Sequence, residues 1–312
     1  MKITVPVIKE WKVAKGTNAP LVMVTAYDYT FAKLAEAAGM DIILVGDSLG
    51  MVIQGQSSTL PVTLDEVIYH TRCVSRGTSK ALVVGDMPFL SYQISEERAI
   101  ESAGRLIKEG GAAAVKLEGG ESIAHIVRRL VELDIPVMGH VGMTPQSIHR
   151  MGGFKVQGKS KSNGAGSAAQ VLRDAIALQE AGAFCVVIEC VPTELAQAIT
   201  KKLSIPTIGI GAGADCDGQV LVSYDLLGLV TGEHRPKFLK QYAQLGTAAT
   251  EALAAYGAEV RRKAFPSAAE CYSSGKATET KEPASRKTAR KTSRISSELL
   301  RRRAKPKLPK SA

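Results

Sequence analysis

Four acids in this chain each close a short apolar run: Asp47 after Ile42-Ile43-Leu44-Val45-Gly46, Asp86 after Leu82-Val83-Val84-Gly85, Glu118 after Val115-Lys116-Leu117, and Glu189 after Val186-Val187-Ile188. A buried strand that ends on an acid delivers a carboxylate to the rim of a sheet, and several such rims brought together suit a hard divalent cation. Lys116 sharpens this reading. Alternate residues of a strand face the same way, so Lys116 and Glu118 project together while Val115 and Leu117 project oppositely. A lysine inside a strand has to be paired or used, and Asp47, Asp86 and Glu118 are its available partners. Three carboxylates with one buried lysine fit magnesium, with the lysine supplying charge for an anionic substrate. Two plainer readings stand beside it: single acids as helix N-caps, and the cluster as a structural ion-pair network.

The elements that must position these groups can be read from the same stretches. AAGMDIILVGD, EGGAAAVKLE and EAGAFCVVIE share one plan, in which a helix ends on a glycine (Gly39, Gly111, Gly182) and feeds a buried strand and then an acid. The pattern predicts strands at 21–25, 42–46, 81–85, 113–117, 136–139, 184–188 and 206–210, with a weak eighth at 220–222. It predicts helices at about 29–38, 63–76 (Thr63 and Glu66 forming a capping box), from 95, and at 123–132, 168–181 and 237–262. Seven or eight buried strands alternating with helices predict a (β/α)8 TIM barrel, whose ligands bind at the carboxyl ends of the strands. A doubly wound sheet is the alternative, without a G-x-G-x-x-G after the first strand to support it. The stretch from His140 to about Gly166 reads as a long, mobile, functional loop. GIGAG at Gly209 to Gly213 stands where barrels often hold an anion. His140 is left open between a substrate contact and a satisfied structural histidine.

The chain has 312 residues, 45% of them hydrophobic, enough for one large α/β domain. No apolar run approaches the roughly 18 residues of a membrane span, and the N-terminus lacks the apolar segment of a secretory signal, so a cytoplasmic protein without membrane insertion is expected. The five cysteines fall singly, as reduced structural thiols do. The net charge of +10 is not spread over the molecule. Residues 273–312 hold thirteen Lys/Arg and three Asp/Glu, which accounts for all of it. The expected domains are therefore a catalytic barrel at 1–272 and a basic, disordered C-terminal extension at 273–312 that binds polyanions weakly.

The motifs TAYDYTFAKLAEAAGMDIILVGDSLGM, STLPVTLDEVIYHT, GDMPF, VKLEGG, GHVGMTPQS, GGFKVQG, IECVP and IGIGAG, in that order, resemble the ketopantoate hydroxymethyltransferase family from about Thr25 to Phe265. The tail beyond Tyr272 lies outside the resemblance. The resemblance implies a (β/α)8 barrel that uses Mg2+ and the co-substrate 5,10-methylenetetrahydrofolate to add a hydroxymethyl group to the 2-oxo acid 3-methyl-2-oxobutanoate. It implies Asp47 and Asp86 as metal ligands that also meet substrate, Glu118 as a third acid at the metal, Ser48 and Lys116 as keto-acid contacts, and Glu189 as the general base. It also implies a homo-oligomer, a decamer by analogy.

Elementary chemistry agrees with that assignment. A 2-oxo acid can chelate one cation through its carboxylate and ketone oxygens, and the cation then acidifies the C3 proton. A base is needed away from the metal acids, and Glu189 lies on a different strand. Two competing readings remain. One is another magnesium–enolate barrel, of the phosphoenolpyruvate mutase, isocitrate lyase or oxaloacetate decarboxylase type, which is expected to bring a cysteine or further basic residues to a mobile loop. The other is a binding protein acting through the basic tail.

Overall fold

Gly39, Gly111 and Gly182 adopt φ of 80°, 75° and 98°, the left-handed conformation that ends a helix and that only glycine takes at little cost. Each hands the chain to a strand. The computed structural model describes residues 2–12, 19–159, 164–230 and 236–273. In chain order its elements are α1 (Val5–Lys9), β1 (Leu21–Thr25), α2 (Tyr29–Ala37), β2 (Ile42–Val45), α3 (Leu49–Val52), α4 (Leu64–Gly77), β3 (Leu82–Asp86), α5 (Glu96–Lys108), β4 (Ala114–Glu118), α6 (Ala124–Glu132), β5 (Val137–Gly142), α7 (Ile148–Met151), α8 (Ala168–Glu180), β6 (Cys185–Glu189), α9 (Thr193–Lys202), β7 (Thr207–Ile210), β8 (Gly218–Leu221), α10 (Ser223–Leu226) and α11 (Leu245–Arg261). The strands pair in parallel in that order and β8 closes on β1, giving the expected (β/α)8 barrel.

The two faces of β2 to β6 bury two different cores. Ile43, Val45, Val83, Val115, Leu117, Val186 and Ile188 pack in one cluster with helix residues such as Val67, Leu106, Leu130 and Ile199. Ile42, Leu44, Leu82, Val84, Ala114, Met138, Cys185, Val187 and Ile208 form the barrel interior. The interior set alternates along each strand, so the next inward positions at the carboxyl ends are Asp86 on β3, Lys116 and Glu118 on β4, His140 on β5 and Glu189 on β6. The apolar layers thus set the polar layer above them.

The opposite end is closed by the N-terminal arm. Ile8 of α1 has no exposed surface and joins the interior cluster beside Leu21, Ile42 and Leu82, which begin their strands; burial of such a side chain is worth about 2 kcal/mol. Lys12 follows it inward. Its Nζ donates to Asp217 Oδ2 and Thr200 O, both at 2.7 Å, and to Ile205 O at 3.2 Å. The sequence reading had no role for Lys12, because a lone lysine in an arm carries no periodic signal.

Helix starts are capped as their sequences suggest. Thr63 and Glu66 form the expected capping box, and Asp28, Ser95 and Ser167 cap α2, α5 and α8. None of the four rim acids caps a helix, so the N-cap reading fails. The limits of β3, β4, β5 and β6 also shift toward the carboxyl end, and in β3, β4 and β6 the rim acid is itself a sheet residue. Most notably, β5 continues through His140 to Gly142, and a 3-10 turn at Pro145–Ser147 and α7 follow it. The stretch from His140 is therefore largely structured, with residues 160–163 outside those described. The expected extension at 273–312 also falls, but for Ser273, outside the described residues. By compactness the chain divides into residues 1–252 and residues from 253 on. Among the described residues no helix is long and apolar enough to cross a membrane.

Candidate active site

Lys116, from the middle of β4, is 4% exposed and donates to both oxygens of Asp86, at 2.8 and 2.7 Å. Its Nζ also lies 3.6 Å from Glu118 Oε1, as the parity of the strand requires. Asp47 stands two residues beyond β2, and its backbone N–H donates to Asp86 Oδ2 at 3.3 Å. The structure thus brings Asp47, Asp86, Lys116 and Glu118 together, all of them buried. Although they stand at the rim of the barrel, Asp47 is only 3% and Asp86 1% exposed. Ser48, the next residue, shares a hydrogen bond with the Tyr27 hydroxyl at 2.9 Å.

His140 joins this cluster to Glu189. Its Nδ1 is 3.4 Å from Glu118 Oε1 and its Nε2 is 3.2 Å from Glu189 Oε2. Neither contact is a well-formed hydrogen bond, and Glu118 Oε1 and both ring nitrogens are buried without one. Glu189 is itself the more open end of the row, its side chain 13% exposed. Gly142, paired with Glu189 across β5 and β6, has φ of 93°, and a Cβ there would lie 2.3 Å from the Glu189 carbonyl oxygen. Glycine is required where the strand carrying the candidate base passes this closely.

Two functional-looking residues escaped the sequence reading. Gln146 donates Nε2 to Asp47 Oδ2 at 3.0 Å and its backbone N–H to Glu118 Oε2 at 3.0 Å. The Tyr92 hydroxyl lies 2.8 Å from Glu118 O and 2.9 Å from Gln146 Oε1, and its one proton is shared between these two acceptors. A buried glutamine inside GHVGMTPQS was the available signal, since an interior amide must find partners.

The electrostatics follow from burial and neighbours. Burial, then the charges of Asp86 and Glu118, holds Asp47 well above the usual carboxylate range. Burial also pushes Asp86 up, against the pull of Lys116. For Glu118 burial is outweighed by Lys116 and His140, which keep it below its ordinary value. Burial would lower Lys116, but Asp86, Glu118 and Asp47 raise it and keep it cationic. Burial and Lys116 likewise oppose the charge on His140, yet Glu118 and Glu189 bring it up to about 9. Cys190 is pushed up to about 12 by burial and by Glu189, which makes it a poor nucleophile.

The donor set fits a divalent cation. Three buried carboxylates face one lysine, Asp47 has no cationic partner of its own among the described residues, and Glu118 Oε1 lacks a hydrogen bond. As placed, no three His, Cys, Asp or Glu side chains among the described residues form a ready set of metal ligands. Magnesium is commonly held by only one or two carboxylates together with its substrate. Beside the cluster lies a cavity of about 540 Å³ whose wall includes Tyr92, Glu118, Val141, Gln146 and Arg150.

A parallel barrel with an acid–lysine–histidine row at the carboxyl ends of β3 to β6 and a cavity beside it is the build of a barrel enzyme. Residues 2–268 match the family model described as ketopantoate hydroxymethyltransferase. A 3-methyl-2-oxobutanoate hydroxymethyltransferase of Moorella thermoacetica is 57% identical over 265 residues, covering 85% of this chain and 96% of that protein. The one of Pelobacter propionicus is 54% identical over 265 residues, covering 85% and 95%. The chain belongs to the ketopantoate hydroxymethyltransferase family. Among solved structures it is similar to phosphonopyruvate hydrolase in complex with oxalate and Mg++ (TM-score 0.56, 12% identity, covering 97% and 99%) and to 2,3-dimethylmalate lyase (TM-score 0.55, 16% identity, covering 98% and 100%). At such identities these share the fold with it.

Proposed function

We propose that this chain transfers a hydroxymethyl group from 5,10-methylenetetrahydrofolate to 3-methyl-2-oxobutanoate, giving 2-dehydropantoate (ketopantoate) and tetrahydrofolate. The placement of Glu189 carries this reading. It is a carboxylate at the open end of the row, with His140 between it and Glu118. A base that removes a carbon-bound proton must be separate from the groups that hold the oxygens of the substrate, and family membership fits that division of labour.

The keto acid would lie with its carboxylate and ketone toward Asp47 and Asp86 and its C3 toward Glu189. Magnesium held by Asp47 and Asp86, with Glu118 nearby, would supply charge that acidifies the C3 proton and stabilises the enolate. Ser48 and Lys116 would fix the substrate carboxylate. Lys116 spends two of its three protons on Asp86, so only the third is available for that contact. Glu189 would take the C3 proton. One water would break the two C–N bonds of the donor methylene, giving its protons to the two nitrogens of the departing tetrahydrofolate and its oxygen to the carbon; C3 would bond to that carbon, and the proton taken by Glu189 would pass to the new hydroxyl oxygen. His140, positively charged below about pH 9, would hold Glu189 in place through its Nε2. The cavity bounded by Tyr92, Glu118 and Gln146 is the space into which the donor would reach. Assembly as a homo-oligomer, a decamer by family analogy, and weak polyanion binding by the basic tail belong to the same proposal.

The test is turnover of both substrates with and without Mg2+, together with exchange of the C3 proton for deuterium. Wild type is expected to exchange and turn over only with the cation. Glu189→Gln is expected to keep substrate binding and lose exchange by about 10²–10⁴-fold, the usual weight of general-base catalysis. Exchange at the wild-type rate in this variant would move the base elsewhere.

A further inference from the structure

Gln146 follows β5 in the 3-10 turn Pro145–Ser147 and is 7% exposed. Its side-chain amide is fully engaged. Nε2 donates to Asp47 Oδ2 and to Met87 O, each at 3.0 Å. Oε1 accepts from the Tyr92 hydroxyl at 2.9 Å and from Gln93 Nε2 at 3.1 Å. Acceptors crowd one end of the amide and donors the other. A flipped amide would set oxygen against the Asp47 carboxylate and nitrogen against the Gln93 amine, so only one orientation is allowed. The backbone of the same residue donates to Glu118 Oε2 at 3.0 Å. Gln146 therefore occupies one oxygen of each of two acids, Asp47 just beyond β2 and Glu118 at the end of β4. The other oxygen of Glu118 is buried without a hydrogen bond.

We infer that Gln146 is the positioning residue of the divalent-cation site, a fork that fixes Asp47 through its amide and Glu118 through its backbone and leaves the second oxygen of Asp47 for the cation. The inference rests on the cation reading given above. Magnesium requires nearly ideal octahedral placement of its ligands, and a carboxylate free to turn would spoil it. Groups that orient ligands in this way typically carry 10- to 100-fold in metal affinity. Tyr92 and Gln93 would serve Gln146 in turn by holding its oxygen.

Gln146→Met keeps the length and most of the volume of the side chain, removes both amide bonds and spares the backbone bond to Glu118. The full-length chain, freed of divalent ions, is titrated with Mn2+ by calorimetry and by the paramagnetic signal of the free ion, with Mg2+ as competitor. Melting of the ion-free proteins is followed in parallel. Wild type is expected to bind one ion and Asp47→Asn to lose it. Gln146→Met is expected to bind about 10- to 100-fold more weakly, with the Mg2+ needed for half-maximal turnover raised by the same factor and kcat restored at saturation. A merely structural glutamine would lower the melting temperature and leave the affinity alone, and that result overturns the inference. Should Gln146→Met not fold, Tyr92→Phe is expected to weaken binding by a smaller factor, and unchanged affinity there overturns it equally. If wild type binds no ion, or Asp47→Asn binds as wild type does, the cation reading itself falls, and that is decided without any Gln146 variant.

Discussion

Asp47 is a carboxylate kept in a place that charge disfavours. Burial and two like charges raise its pKa, so the folded protein holds its proton more tightly than the unfolded chain. An acid with a raised folded value costs stability as pH climbs above the ordinary carboxylate range, and the cost grows until the folded group ionises. Asp47→Asn removes that cost. In ion-free buffer the variant is expected to melt above wild type at neutral pH, with the gap closing toward pH 4, while turnover is lost. Melts across this range with a chelator present decide it, and a wild type at least as stable throughout would contradict the picture. At this scale the sequence was legible where parity operates: Asp86, Lys116, Glu118 and Glu189 lie on strands, and an alternation of apolar partners fixes where each points. It was not legible for Gln146 and Tyr92, which sit in loops without a period. His140 stayed ambiguous because Gly139 resembled a strand end, whereas the strand turns only at Gly142, with its φ of 93°.

Helices and strands are also joined by groups that the periodic pattern does not reveal. Glu36 on α2 accepts from the N–H groups of Ser79, Lys80 and Ala81 at 2.7, 2.5 and 3.3 Å and from the Ser79 hydroxyl at 2.8 Å, tying the helix to the entry of β3. Burial is the largest single influence and opposes its charge, but these donors together bring its pKa down to about 2. A lowered value stabilises the fold above the unfolded pKa, and the gain fades as pH falls toward the folded one. Glu36→Gln is expected to cost about 1–2 kcal/mol at pH 7, the scale of hydrogen bonds to a charged group reduced for partial solvent exposure. The difference should shrink from about pH 4.5 downward. Urea unfolding at several pH values checks this, and a pH-independent difference would refute it. Strand existence was legible from apolar runs; strand limits were not, because a buried acid at the rim pairs like any other sheet residue. The helix α9 was missed as well: it starts directly after Pro192, where the motif IECVP ends, and no helix was read between that motif and β7.

For the whole molecule, eight runs of the right type predicted the barrel, although β8, with a partly exposed alternation, was the faintest of them. The basic tail was legible only as composition, since a segment without an apolar period announces charge and nothing about contacts. Truncation after Tyr272 is expected to leave turnover and melting unchanged and to abolish salt-sensitive binding to DNA or heparin, because the net charge of +10 lies beyond it. A truncated chain that lost activity or melted well below the full one would show that the tail supports the barrel. The arm that carries Ile8 and Lys12 has a kinetic consequence. Among the described residues Ile8 and the apolar layers pack the barrel beneath the site, so under the proposed function both reactants would come to it from the carboxyl ends of the strands. Under the proposed function the keto acid enters first and its product leaves last, with the folate coming and going in between. Ketopantoate should then inhibit competitively against 3-methyl-2-oxobutanoate, and a noncompetitive pattern would mean a second way in.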